Sequence, residues 1–361
     1  MLKTNKYTDK NGYYTTVEQM KLLYDNRSRQ SKFTGSTKEE FVKWQNEKRE
    51  LFKTLLGFDT FEPCGNEIIE LSKERCDGYT RTKYVIQTEE KVGVPFYALV
   101  PDSIKAGEKL PVVICPQGHF NGMKEGVAGI RVNKDVEYVI DEQGGNYGEA
   151  FCKAGYIAFC PDARGFGERT EELQQHSAWK CSCTHVNHMA IPLGRCAIGM
   201  SVWDLVKLCD YIHTRDDCDI NRIGCGGLSG GGFQSLFLAA VDTRVKCAAS
   251  SGYFYGVKDA LVELNSNCAC NYVPHLWEHF DMCDIASLIA PRAFIVEAGT
   301  KDDLNGRRGI INVNEQVELT RQNYKFFDAE DKVKESVFDM GHMWKGDDIY
   351  PFFEENLKNI Q

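Results

Sequence analysis

From Leu110 onward the chain alternates between short unbroken apolar runs and longer amphipathic stretches. Leu110-Pro111-Val112-Val113-Ile114-Cys115-Pro116 has no polar position, as expected of a parallel strand covered on both faces. The same reasoning places strands at Arg81 to Gln87, Val94 to Val100, Tyr156 to Cys160, Asn221 to Cys225, Val245 to Ser250, Ala293 to Ala298 and Lys334 to Met340. Between them, Cys196 to His213 carries Met200, Trp203, Leu205, Val206, Leu208 and Ile212 in an amphipathic pattern that reads as a sheet-covering helix. Strand and helix patterns in alternation predict an α/β class with a mostly parallel central sheet and helices on both faces. Residues 1–65 read differently. Ser36 and Glu39 form a candidate capping box for a helix through Phe41, Trp44, Leu51 and Leu55, ended at Gly57. They are expected to be a helical extension packed on a main domain of residues 66–361. Within that domain residues 252–284 are too long for a simple connection and are expected to form an inserted lid and substrate wall. Its aromatic residues supply Tyr253, Tyr255 and Trp277 as candidate substrate-binding side chains.

The polar positions that matter lie at the ends of these strands. In Gly227-Leu228-Ser229-Gly230-Gly231 a serine sits where a strand is expected to turn abruptly into the helical run Phe233 to Val241. Such a turn strains the serine's backbone. It also requires nearly side-chain-free neighbours two residues either side, which the G-x-S-x-G pattern supplies. Two phosphate-binding alternatives fail on residues. No lysine occurs between Gly224 and Ala240, so this is not a P-loop. From Gly224 and Gly226 the third glycine of a dinucleotide loop falls on Ser229.

A nucleophilic serine needs a base, an acid to orient it and donors for the oxyanion. Downstream, the strand ending at Gly299 is followed by Thr300-Lys301-Asp302-Asp303, and the next strand by Gly341-His342. Asp302 and His342 therefore fall on the same rim as Ser229, in the chain order Ser, Asp, His. Upstream, Gln117-Gly118-His119 follows the Leu110 strand. The backbone amides of Gly230 and His119 are the expected oxyanion donors. The His119 imidazole is a secondary candidate for contact with substrate.

Five stretches together resemble an α/β-hydrolase of the dienelactone-hydrolase and acetyl-xylan-esterase-like branch: VVICPQGH (Val112 to His119), GYIAFCPDARGFGER (Gly155 to Arg169), GRCAIGMSVWDL (Gly194 to Leu205), RIGCGGLSGGG (Arg222 to Gly232) and PRAFIVEAGTKDD (Pro291 to Asp303). The likeness runs from about Glu67 to the C-terminus. It implies hydrolysis of short-acyl esters, often on carbohydrates, by a Ser229-Asp302-His342 triad with no metal and no cofactor. It also favours Asp302 over Asp303, since the resembling pattern sets the acid three residues after Gly299. The chain departs from the pattern at Gln117, where such enzymes often carry histidine. Asp162, Arg164, Gly165 and Gly167 are expected to make a tight turn stiffened by an internal ion pair. Two alternatives share these motifs: a serine peptidase of the prolyl-oligopeptidase-like type, and a non-catalytic hydrolase-like binding protein.

Charge and cysteines narrow the setting. At 361 residues and a net charge of −9, the chain is not expected to bind nucleic acid or an anionic membrane. The expected partner is a small-molecule or carbohydrate ester, and the sequence leaves the oligomeric state open. Met1 to Tyr14 has no apolar core of a secretory signal, so a cytoplasmic location is expected. Many of the fifteen cysteines, among them Cys115, Cys160, Cys209, Cys225 and Cys247, sit singly in apolar runs as small hydrophobes suited to a reducing compartment. Two clusters do not: Cys181, Cys183, His185 and His188, and Cys268 with Cys270 and nearby His275. Zinc or a redox-sensitive disulfide would suit either cluster. C-x-C is not the usual C-x2-C knuckle, however, and the expectation is that ester hydrolysis needs no metal and is insensitive to chelators.

Overall fold

Val112 and Ile114 turn to one face of a sheet and Val113 to the other, and both faces are packed. That is why the Leu110 run tolerates no polar residue. The computed structural model describes residues 3–62, 64–65, 67–119, 122–176, 181–264 and 267–359. In chain order the strands are β1 (Ile68–Arg75), β2 (Tyr79–Glu89), β3 (Val92–Pro101), β4 (Leu110–Ile114), β5 (Ile157–Pro161), β6 (Cys218–Leu228), β7 (Val245–Ser251), β8 (Ala293–Gly299) and β9 (Val333–Phe338). They form one sheet in the order β1-β2-β3-β5-β4-β6-β7-β8-β9. The pairs β1–β2, β2–β3 and β3–β5 are antiparallel; every pair from β5 through β9 is parallel.

Every expected strand is present, its ends moved by at most three residues. The additional strand, β1, is solvent-exposed along nearly its whole length. Its sequence, Ile-Ile-Glu-Leu-Ser-Lys-Glu-Arg, is that of a charged edge with no apolar face to reveal it. Helices cover both faces. Ala197–Ile212, Gly230–Val241 and Ile310–Tyr324 bury their apolar residues on one side, and Lys134–Gln143, Tyr147–Lys153 and Ile349–Phe353 on the other. Among the described residues no single helix is long and apolar enough to cross a membrane.

The N-terminal residues share the main core. The helix Lys38–Leu55 starts at a capping box of Thr37 and Glu40, one residue beyond the expected Ser36 and Glu39. The Glu40 carboxylate accepts from both the Ser36 and Thr37 amides, which fixes that register. Phe41, Phe52 and Leu56 are fully buried in the same cluster as the sheet. Gln45 donates to the carbonyls of Ser287 and Ala290, and Arg49 to those of Ala240 and Leu288. These bonds satisfy carbonyls left open where neighbouring helices end. Tyr253, Phe254, Tyr255 and Phe280, from the two ends of the 252–284 segment, belong to the core.

The chain leaves β4, forms β5 on one side, then returns to lay β6 on the other. Loops leaving the C-terminal ends of β4 and β6 therefore diverge, opening a crevice at the position where open α/β sheets bind ligands.

Candidate active site

Ser229 occupies that crevice in a conformation few side chains adopt, with φ 59° and ψ −121°. The strain is held by two backbone bonds, from Ser229 N to Ser251 O (2.8 Å) and from Phe233 N to Ser229 O (3.0 Å). Glycine is required on both sides. A Cβ on Gly227 would meet Pro116 O at 2.6 Å, and one on Gly231 would meet it at 2.2 Å. The strand-to-helix turn thus projects the serine from the sheet, ahead of the helix Gly230–Val241.

Two strands away, β8 ends at Gly299 and the chain bends through a short turn in which Asp302 is buried and Asp303 exposed. Asp302 Oδ1 accepts from Leu304 N (3.0 Å), and Oδ2 meets His342 Nδ1 at 2.6 Å. With Nδ1 engaged, Nε2 is the ring nitrogen available to the cleft that Ser229 and His342 both line. The His342 ring also packs on Gly252, where a Cβ would sit 2.8 Å from Cε1. Behind it is a further buried carboxylate. Glu297 of β8 is buried and accepts from Ser251 Oγ (2.8 Å), Lys345 N (3.0 Å) and Gly346 N (2.7 Å). It fastens the loop that carries His342, and burial pushes its pKa up. Its signal in the sequence is a single acid inside an otherwise apolar strand.

The cleft encloses about 430 Å³. On its other side the loop after β4 comes against the serine turn, and a Cβ at Gly118 would lie 2.5 Å from Leu228 O. Gly230 and His119 adjoin each other there, with the His119 ring against the Gly230 backbone. A backbone amide at a helix N-terminus beside a strained serine, facing a histidine held by a buried carboxylate, is equipped for nucleophilic attack on a carbonyl.

The description "Abhydrolase family" matches residues 6–353, nearly the whole chain and including the N-terminal helices. The chain belongs to the Abhydrolase family. "Putative hydrolase YtaP" of Bacillus subtilis (strain 168) is 28% identical over 174 residues, 48% of this chain and 55% of that protein. The chain therefore spans about half the length of this curated relative. Among solved structures, a "putative acetyl xylan esterase" from Bacteroides fragilis superposes with a TM-score of 0.75 at 21% identity, covering 92% of this chain and 84% of the other. A glucuronoyl esterase from Solibacter usitatus gives 0.65 at 14% identity, covering 91% and 96%. These likenesses give this Abhydrolase-family chain the α/β-hydrolase fold.

Among the remaining residues singled out in the sequence, Tyr253 and Tyr255 line the cleft. Tyr253 stacks on Phe233 and donates to Asn271 Oδ1 (2.6 Å). The Tyr255 hydroxyl is buried with no hydrogen-bond partner among the described residues, and burial raises its pKa. Trp277 is not brought there. It lines a separate cavity beside Met20, Leu23 and Tyr24 of the helix Val17–Arg27. The expected ion pair between Asp162 and Arg164 does not form either. Asp162 pairs with buried Lys124 (2.7 Å), and Arg164 with Asp204 (2.8 Å) and Glu89 (2.5 Å). Each charge finds its partner outside the motif. Burial of Asp162 raises its pKa to about 6, while Lys124 beside it opposes the rise.

The cysteine clusters are regrouped. Cys183 from the first and Cys268 with Cys270 from the second converge on His119. His185 and His188 lie outside that group on an exposed helix face, and His275 is exposed and pairs with Glu278. All fifteen cysteines are free. Burial favours neutral His119, but the sulfurs of Cys270 and Cys268 outweigh it and raise its pKa.

Proposed function

We propose that this chain is a serine carboxylesterase that hydrolyses short-acyl, acetyl-type esters carried on carbohydrates. The observation that carries the proposal is the 2.6 Å bond between buried Asp302 and His342 Nδ1, in the cleft that also holds strained Ser229. Ser229 Oγ attacks the acyl carbonyl while His342 Nε2 takes its proton. Asp302 fixes the tautomer and stabilises the imidazolium. The oxyanion is received by the amides of Gly230 and His119. His342 returns the proton to the leaving alkoxide, and water then resolves the acyl-enzyme by the same route in reverse.

A cleft of about 430 Å³ suits a small acyl group better than a peptide segment. Tyr253 and Tyr255 form part of the same wall. The acetyl xylan and glucuronoyl esterases that share the fold support carbohydrate esters as the substrate class. A cytoplasmic setting, with all cysteines free, belongs to the same proposal.

The test is hydrolysis of p-nitrophenyl acetate, butyrate and octanoate beside acetylated xylo-oligosaccharides and a methyl uronate. Fastest turnover on acetyl esters, with release of acetate from the sugars, is expected. Turnover of peptide p-nitroanilides in preference to every ester would contradict it.

A further inference from the structure

His119 arrives from the loop after β4, Cys183 from the first residue of the helix Cys183–Ala190, and Cys268 and Cys270 from the wall of residues 252–284. These three segments are far apart in sequence, yet their four donor atoms lie within 4.8 Å of one another. His119 Nε2 is 3.4 Å from both Cys183 Sγ and Cys270 Sγ. A tetrahedral zinc with bonds of about 2.3 Å to sulfur and 2.0–2.1 Å to nitrogen would set S···N edges of about 3.6 Å and S···S edges of about 3.8 Å. The edges from His119 to Cys183 and Cys270 already have nearly that length. Cys183 and Cys268 are 2.7 Å apart, beyond the roughly 2.05 Å of a disulfide, and these two sulfurs separate by about 1 Å to reach the zinc edge.

The surroundings fit thiolates held by a cation. Thr184 Oγ1 lies 3.7 Å from Cys268 Sγ, and Asn271 Nδ2 is 3.9 Å from Cys270 Sγ. Asn187 Nδ2 donates to Ala269 O at 2.7 Å, which ties the two cysteine segments together. Phe166 packs edge-on against the His119 ring at 4.8 Å and limits its rotation. Among the described residues no other buried cysteine belongs to such a group.

We propose that His119 Nε2 and the Sγ atoms of Cys183, Cys268 and Cys270 form a Cys3His zinc site that fastens the cleft wall to the loop after β4. Zinc uptake converts the three thiols to thiolates and releases their protons to solvent. Four protein ligands fill the tetrahedral shell and leave no position for a water, so the ion is structural and takes no part in acyl transfer. Its effect on the cleft is indirect. With Nε2 on the metal, Nδ1 carries the proton, on the edge of the ring that faces Gly230. A chelator is therefore expected to act on stability, while the expectation that ester hydrolysis itself needs no metal stands beside it.

The test is metal analysis of the full-length protein, purified under reductant from zinc-supplemented medium. About one zinc per chain is expected, falling to near zero in Cys270→Ser and Cys183→Ser. Cys181→Ser should retain it, although its sulfur lies 3.4 Å from Cys183. Removing the metal from wild-type protein should lower the melting temperature by about 3 °C or more. If the serine variants fail to fold, cobalt exchanged into the wild-type protein gives a second readout. Intense tetrahedral d–d bands with thiolate charge transfer are expected there. No bound metal and no cobalt spectrum would overturn the site. So would a Cys183–Cys268 disulfide, seen as a reductant-reversible mass loss of about 2 Da. Loss of zinc in Cys181→Ser as complete as in Cys270→Ser would overturn the ligand set.

Discussion

The two walls of the Ser229 cleft are built by different means. On one side Ser229, Asp302 and His342 each stand at the end of a parallel strand. Backbone bonds and tight glycine contacts hold the serine turn, and Asp302 and Glu297 hold His342 and its loop. On the other side His119, Cys183, Cys268 and Cys270 come from loops and short helical turns. What joins them is soft side-chain chemistry; Arg164, which lines a small cavity with His119 and Cys270, starts a buried charge network with Asp204, Glu89 and Arg169. The first wall is a consequence of the sheet. The second depends on what its side chains bind. Chemistry should therefore fail abruptly when the first wall is altered, whereas the second should lose stability and shape.

The largest effect is expected at Ser229. Ser229→Ala should lower ester turnover by about 10⁴-fold or more with a native melting curve, because the remaining groups have no nucleophile to activate. Near-wild-type turnover in a folded variant would remove Ser229 from the mechanism. Next comes the pair of adjacent aspartates. Asp302 is buried on His342 while Asp303 faces solvent. At saturating ester, Asp302→Asn should cost roughly 10² to 10⁴-fold in turnover, and Asp303→Asn less than about tenfold. The reverse order would move the acid to Asp303.

The smallest effect belongs to the second wall and is one of stability. Burial alone would raise the pKa of Asp204, but the charges of Arg164 and Arg169 outweigh it and hold the carboxyl near about 2, below its ordinary 3.8. Its contribution is therefore complete above about pH 4 and is lost as pH falls toward 2. The size is on the order of 2 kcal/mol. Between pH 5 and pH 2.5 the unfolding free energy should fall less steeply in Asp204→Asn than in wild type. Equal slopes would detach this network from acid stability.

The same contrast governs how much could be read from the sequence. Strand runs and G-x-S-x-G are local patterns with a fixed period, so the parallel sheet and the strand ends at Ser229, Asp302 and His342 were legible. β1 was not, because an exposed charged edge carries no apolar period. Nor was the grouping of the cysteines. Proximity along the chain joined Cys183 to His185 and His188, whereas folding joins it to His119, 64 residues away. Trp277 misled for the same reason. Its place in an aromatic segment marked it as a substrate contact, yet it turns toward the N-terminal helix Val17–Arg27, whose sequence gives no sign of the pairing. Glu297 was visible as a lone acid in an apolar strand, but its role depends on which loop its carboxylate reaches.

The central claim is that Ser229 is the nucleophile of an ester hydrolase. Titrating the purified protein with a fluorophosphonate, while following both p-nitrophenyl acetate hydrolysis and the labelled peptide by mass spectrometry, tests it most directly. The account predicts one adduct per chain, on Ser229, with activity lost in proportion to labelling and no adduct in Ser229→Ala. Hydrolysis that persists after complete labelling, or an adduct on another residue that accounts for the lost activity, would contradict it.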